Sequence, residues 1–267
     1  MKPWQLIAAL LLIPASTWAS GDKLVLGIQD YNCSAILVVQ EYQGLTNYLE
    51  RSLKKPVRVE TVKTQDDYLK KAKARRFTFM YGPPSMILAA NRLAGYEPVA
   101  KVPGQLSAAF MSLSASGIAF PEDMKGKRIG FTDKDSMITQ LGLAHLRGMH
   151  IDPALYFKSV SYFNDVDGVL AAMKYDLIDI GVANSGLFNA WSAKGYNINL
   201  IIQGKGVPHL TFAVRGDLPE DFKESVSQAL LKANRDSEAQ AYFRYSSFPG
   251  FEPARLQDYA ELAMTLQ

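Results

Sequence analysis

Two short segments of the sequence put a serine where a helix that binds an anion would begin. Residues 84–88 read Pro-Ser-Met-Ile-Leu, and residues 135–139 read Asp-Ser-Met-Ile-Thr. Each follows an apolar stretch typical of a buried strand, so Ser85 and Ser136 are predicted at the first turn of a helix. Unpaired N–H groups and the helix dipole favour an anion there. Serine also caps helices without any ligand, and both interpretations stay open.

Other polar and aromatic residues are predicted at the same strand ends. Tyr31 follows the first strand candidate, Tyr81 ends a later one, and His209 follows Pro208. We expect a binding cleft with the two tyrosines as walls and with hydrogen bonds donated by the serines and by helix N–H groups. The candidate ligand-binding residues are Tyr31, Tyr81, Ser85, Ser136, Met137, Ile138, Thr139 and His209.

The sequence gives little support for catalysis. It has no Gly-x-Ser-x-Gly elbow and no Walker-type phosphate loop. His145 and His150 are five residues apart, which takes them off the shared helix face that a two-histidine metal site uses. We expect no enzymatic activity, no metal and no cofactor. Cys33 is the only cysteine, so an intramolecular disulfide is excluded.

The first residues indicate export. Lys2 precedes a short apolar stretch, and Thr17 and Ala19 supply small residues at a cleavage site. Residues 1–19 are therefore predicted to be a cleaved signal peptide, which gives a periplasmic protein. The formal net charge of the full chain is +3, which offers no basis for nucleic-acid binding.

Strand and helix patterns alternate along the chain. A helical period at Val38, Tyr42, Leu45 and Leu49 follows the first strand candidate. Such alternation predicts an α/β fold with mainly parallel sheets and helices on both faces. There are too many units for one small lobe, so we expect two lobes.

At this point the sequence resembles a known family. Residues 116–118 read Ser-Gly-Ile, residues 122–133 read Glu-Asp-Met-Lys-Gly-Lys-Arg-Ile-Gly-Phe-Thr-Asp, and residues 81–83 read Tyr-Gly-Pro. These stretches are similar to the periplasmic solute-binding proteins of phosphate, phosphite and phosphonate ABC transporters. The resemblance implies the type II periplasmic binding protein fold, with two lobes joined by two crossover hinges. The family's usual return of the chain near Pro208, taken with the strand–helix alternation, implies that lobe 1 contains residues 22–110 and 210–267 and that lobe 2 contains residues 113–206. The resemblance also implies a monomer that closes around a small molecule and delivers it to a membrane permease.

The ligand positions depart from the family pattern. The family usually has Ser-Thr-Ser-Gly where this chain has Ser136, Met137, Ile138 and Thr139. Its two expected tyrosines fall on or near Met86 and Leu106. We therefore expect a ligand other than simple phosphonate, because a bare phosphonate needs several donors to replace its hydration. An alternative function is a ligand-sensing receptor or accessory protein that signals to a membrane partner such as a sensor kinase or cyclase.

Overall fold

The structure is a computed structural model that describes residues 23–29 and 34–265. The predicted signal peptide, Tyr31 and Cys33 lie outside the described residues. Within the described part of the chain, no helix combines the length and the apolar character needed to cross a membrane.

Strands and helices alternate as the sequence predicts. The strands are β1 (Leu24–Gln29), β2 (Val57–Val62), β3 (Phe79–Gly82), β4 (Tyr96–Lys101), β5 (Gln105–Leu106), β6 (Ala108–Leu113), β7 (Arg128–Phe131), β8 (Ser159–Tyr162), β9 (Ile180–Asn184), β10 (Ile198–Gln203), β11 (Val207–Pro208), β12 (Thr211–Arg215) and β13 (Glu252–Pro253). The helices are α1 (Ala35–Leu53), α2 (Gln65–Lys73), α3 (Pro84–Ala94), α4 (Met137–Gly148), α5 (Pro153–Tyr156), α6 (Val166–Lys174), α7 (Ser185–Ala193), α8 (Glu220–Lys232), α9 (Gln240–Ser246) and α10 (Ala260–Thr265).

Two large sheets carry the fold. The first has six strands in the order β13-β4-β12-β3-β1-β2, and the second has five in the order β10-β6-β9-β7-β8. A third sheet, formed by β5 and β11, joins the two segments that cross between them. The α/β fold with two lobes is confirmed. Parallel pairing is found at β2-β1-β3 and at β8-β7-β9, whereas the strands next to the crossovers pair antiparallel.

The first crossing comes earlier than the expected boundary at residue 110. Ala108, Ala109 and Phe110 pair with β9 of the second sheet. Because these residues are apolar on both faces and the next segment is too, composition gave no boundary signal between them. The end of the chain also departs from the expectation, since Tyr259 and Leu262 pack in the apolar core of the second sheet together with Leu106 and Val207.

Helix α1 shows why the apolar period was informative. Val38, Leu45 and Leu49 are fully buried against the first sheet, and Tyr42 is nearly so. They belong to the α1 core, which includes Leu24, Leu26, Ile28, Phe79, Tyr81, Phe212, Tyr242 and Phe251. The opposite face of the same sheet is covered by α2 and α3. This α2–α3 core includes Val25, Val62, Tyr68, Phe77, Met80, Met86, Ile87 and Ala213.

Candidate functional site

Helices α1, α2 and α3 begin at one edge of the first sheet, each after a parallel strand. Strands β2, β1 and β3 are parallel, so their carboxyl ends lie at the same edge. Helix α2 begins just after β2, with the Thr64 hydroxyl accepting a hydrogen bond from the Asp67 N–H at 3.1 Å. Helix α3 begins at Pro84 just after β3, without a side-chain cap. The first turn of α3 therefore presents the Ser85 hydroxyl, which is half-buried and has no hydrogen-bond partner among the described residues.

The facing edge of the second sheet supplies the N-terminus of α4. Ser136 is its N-cap and accepts a hydrogen bond from the Thr139 N–H at 3.2 Å. The Ser136 Oγ lies 2.6 Å from the Thr132 Oγ1 and 3.1 Å from the Thr139 Oγ1. Thr132 and Thr139 are buried, so only Ser136 of this hydroxyl cluster is partly exposed. The capping interpretation of Ser136 is therefore confirmed. A ligand that bound Ser136 would meet a hydroxyl whose position is already fixed by Thr132 and Thr139.

The two edges touch each other. The Gln65 side-chain amide of α2 donates a hydrogen bond to the backbone carbonyl of Asp135, at 2.9 Å. Asp135 immediately precedes the α4 cap. From the next helix, Leu88 of α3 packs against the core of the second sheet, which contains Met137 and Leu141. The first turns of α2, α3 and α4 are thereby brought together between the sheets.

Gln29 is a residue that the sequence analysis missed. It is the last residue of β1, and its side-chain Oε1 and Nε2 are both buried without a hydrogen-bond partner among the described residues. A buried amide normally has partners, because an unsatisfied donor or acceptor costs about 1–3 kcal/mol. The sequence offers no signal for this residue, since a glutamine that follows an apolar strand is ordinary.

Tyr81, expected as a cleft wall, lies in the α1 core and is only 1% exposed. Its hydroxyl accepts a hydrogen bond of 2.9 Å from the Tyr242 hydroxyl, and burial raises the pKa of Tyr81 well above its ordinary value. The physical reason is strand alternation, which turns Phe79 and Tyr81 to the same face of β3. The Tyr81 side chain is therefore a core residue and does not line a cleft.

His209 lies between the crossover strand β11 and strand β12 and is half-buried. Its Nδ1 accepts a hydrogen bond from the Leu210 N–H at 2.8 Å, and its ring meets Phe248 edge-on with the ring centroids 5.3 Å apart. Burial first, and then the charge of Lys101, lowers the pKa of His209 to about 4. The imidazole is therefore neutral near pH 7, and its free Nε2 can donate one hydrogen bond.

The apolar residues at the family's hydroxyl positions are mostly core residues. Met86 packs in the α2–α3 core, and Leu106 and Met137 pack in the core of the second sheet. Ile138 is partly buried against that same core. Because Met137 is buried and Ile138 packs against the same core, a ligand contact from either residue would come from the backbone N–H group. Within the described residues, no cluster of three or more His, Cys, Asp or Glu side chains could hold a metal ion.

Residues 34–259 match the family model described as the phosphonate periplasmic substrate-binding protein of ABC transporters. No curated protein gives a significant match. PhnD1 from Prochlorococcus marinus, solved with methylphosphonate, is similar with a TM-score of 0.74 and 13% identity over 91% of this chain and 96% of its own.

Two further solved structures share the fold at similarly low identity. A protein from Xanthomonas citri bound to ATP has a TM-score of 0.71 and 16% identity, over 91% of this chain and 95% of its own. The periplasmic aliphatic sulphonate binding protein SsuA from Escherichia coli has a TM-score of 0.59 and 15% identity, over 92% of this chain and 90% of its own.

Proposed function

The chain belongs to the family of periplasmic substrate-binding proteins of phosphonate-type ABC transporters, and on that premise we propose where and what it binds. The site lies between the first turns of α2, α3 and α4. One observation carries this proposal: the hydrogen bond from Gln65 to Asp135 brings the N-termini of helices from both sheets together. Unpaired N–H groups at helix starts bind acidic groups without needing a cationic side chain.

The donors available there suit a small acid. Ser85 offers a hydroxyl with no hydrogen-bond partner in the described part of the chain, and Ser136 offers a partly exposed one. Met137 and Ile138 offer the first N–H groups of α4. His209 is a neutral donor at the crossover, and Thr139 acts through the hydroxyl cluster that holds Ser136 in place. Tyr31 stays a proposed wall residue.

We further propose that the ligand is not simple phosphate or phosphonate. The turn between β7 and α4 carries Asp133 and Asp135, and its Lys134 points over the Tyr162 ring, with Nζ 5.0 Å from the ring centroid. Two carboxylates beside the α4 N-terminus oppose a dianion. The positions where this chain replaces the family's hydroxyls, Met86, Leu106, Met137 and Ile138, add no side-chain donor. An acid with a single negative charge meets less repulsion at this turn.

Members of this family deliver their ligands to a membrane permease. This favours a function in transport over the alternative of a receptor that signals to a membrane partner. The proposed signal peptide and a monomeric mature protein go with this function. N-terminal sequencing of the protein recovered from the periplasm should begin at Ser20 if cleavage follows Ala19. Light scattering of the purified protein should give the mass of one chain.

The experiment that tests the ligand proposal is a thermal-shift screen followed by calorimetric titration. The panel holds phosphate, methylphosphonate, aliphatic sulfonates and amino acids. We expect a member with a single negative charge to raise the melting temperature and to bind tighter than phosphate or methylphosphonate. A sub-micromolar dissociation constant for methylphosphonate or phosphate would show that the backbone donors suffice for a simple phosphonate.

A further inference from the structure

The side chain of Gln29 faces the region where α2, α3 and α4 begin. Side chains alternate across a strand. In β1, Leu24, Leu26 and Ile28 belong to the α1 core, whereas Val25 belongs to the α2–α3 core. Gln29 therefore faces the side of α2 and α3.

The surroundings of Gly27, two residues earlier in β1, support the same direction for the Gln29 side chain. They also show how far along the strand this side chain lies. A Cβ on Gly27 would lie 2.7 Å from the Phe77 ring, which belongs to the α2–α3 core. The Tyr68 hydroxyl donates to the carbonyls of Gly27 and Tyr81, at 3.0 and 3.2 Å. Gln29 is the next residue of β1 on this face beyond Gly27. Its amide thus extends past Tyr68 toward the starts of α2 and α3.

The register with β2 places the same amide beside the junction with the second sheet. Gln29 is paired with Val62, three residues before Gln65. Gln65 in turn reaches the Asp135 carbonyl, next to the N-cap of α4. The Gln29 amide is therefore directed at the region between the first turns of α2, α3 and α4.

The Gln29 amide has both a donor and an acceptor, and neither has a hydrogen-bond partner within residues 23–29 and 34–265. The Nε2 group suits an acidic oxygen, as the helix N–H groups do. The Oε1 atom can only accept, so it needs a donor from whatever occupies the site. A plain acid anion would satisfy half of this side chain and leave the other half unpaired.

We propose that Gln29 is the specificity-determining residue of the site and selects an acid that carries an amine beside its acidic group. The ammonium of such a ligand donates to Oε1, while the acidic oxygens accept from Nε2 and from the helix N–H groups. The carboxylates of Asp133 and Asp135, in the turn just before α4, favour a cationic group for the same reason that they oppose a dianion. This inference rests on the proposed location of the site.

The test uses two matched pairs of probes: taurine with ethanesulfonate, and β-alanine with propionate. Within each pair only the amine differs, and the two pairs separate a sulfonate from a carboxylate as the acidic group. The wild-type protein should prefer the amine-bearing member of one pair by about tenfold or more, because a hydrogen bond to a charged group is worth about 1.5–3 kcal/mol. In Gln29→Met that preference should fall to within about threefold.

Stability gives a second and independent readout. Gln29→Met removes two unsatisfied polar atoms without removing much volume, so the melting temperature of the ligand-free protein should stay the same or rise. Gln40→Met makes the same chemical change on the exposed surface of α1 and should change neither stability nor binding. A melting temperature for Gln29→Met well below that of Gln40→Met would show that Gln29 has a structural role, which contradicts the inference.

The outcomes also separate this inference from the proposed function. The wild-type protein could bind acids of the panel without any preference for an amine, or the preference could survive in Gln29→Met. Either result would contradict the role proposed for Gln29 but would leave the proposed location of the site unaffected. If no acid in the larger panel binds the wild-type protein, the proposed ligand class and the inference fail together.

Discussion

The Gln65 side chain of α2 and the backbone carbonyl of Asp135 are joined by a hydrogen bond of 2.9 Å that links the two large sheets. Asp135 accepts a second hydrogen bond from the Gln140 side chain of α4, at 3.2 Å. The Asp135 carbonyl thus accepts one hydrogen bond from Gln140 of its own lobe and one from Gln65 of the other lobe. Because type II binding proteins close by hinge motion of their lobes, this contact is positioned to favour the closed arrangement.

Replacing Gln65 should favour an open arrangement. We expect Gln65→Ala to remove about 1 kcal/mol from the closed state, which shifts the balance between open and closed forms by roughly fivefold. The measurement is the radius of gyration of the ligand-free protein by small-angle X-ray scattering, which should increase. Gln140→Ala removes the hydrogen bond made within the lobe and serves as control. An increase of equal size in both variants would contradict a role for Gln65 in closure.

Replacing Ser136 should lower both stability and affinity. Ser136→Ala removes the N-cap of α4, which costs about 1 kcal/mol, or about 2–4 °C in melting temperature. Asp165→Ala removes the cap of α6, where Asp165 accepts from the Gly168 N–H at 2.8 Å, and should cost about the same. Only Ser136→Ala should also weaken binding of the tightest acid of the panel in calorimetry. Equal affinity in the two variants would leave Ser136 with a capping role alone.

His209 should make stability depend on pH below neutrality. Its pKa in the folded protein is about 4, against about 6.5 in an unfolded chain. As the pH falls between these values, the unfolded state takes up the proton first, so the free energy of unfolding decreases. Protonation would also break the hydrogen bond that Nδ1 accepts from the Leu210 N–H.

The variant His209→Asn should flatten this pH dependence between about pH 6.5 and 4, as measured by melting temperature. His150 is exposed and has a φ of 58°, a conformation that asparagine tolerates, so His150→Asn is a matched control. A wild-type pH profile that is retained in His209→Asn would show that other groups cause the loss of stability.

Tyr81 should matter for stability and not for binding. Tyr81→Phe removes the acceptor of the buried Tyr242 hydroxyl, which should lower the free energy of unfolding by about 1–3 kcal/mol in urea denaturation. Tyr245 is 69% exposed, so Tyr245→Phe makes the same change at the surface with little expected effect. A clear loss of affinity in Tyr81→Phe without loss of stability would restore its role as a wall of the cleft.

The sequence predicts the fold better than the binding site. Buried residues recur at a regular spacing along a helix or a strand, whereas residues that contact a ligand follow no such spacing. The apolar period of α1 and the serine of the α4 cap were both identified correctly. The aromatic pair Phe79 and Tyr81 has the two-residue spacing of a buried strand face, so the burial of Tyr81 is predictable from the sequence. Gln29 could not be found in this way, because only the packing around the end of β1 shows that its amide has no partner among the residues that the structure describes.

Hydrogen–deuterium exchange with and without the tightest-binding acid of the panel tests the location of the site most directly. The account predicts slower exchange of backbone amides in the first turns of α2, α3 and α4, including Ser85, Met137 and Ile138. Helix α8, on the outer face of the first sheet, should be unchanged and provides an internal control. Protection confined to α8 or to other segments away from these three helix starts would contradict the proposed site.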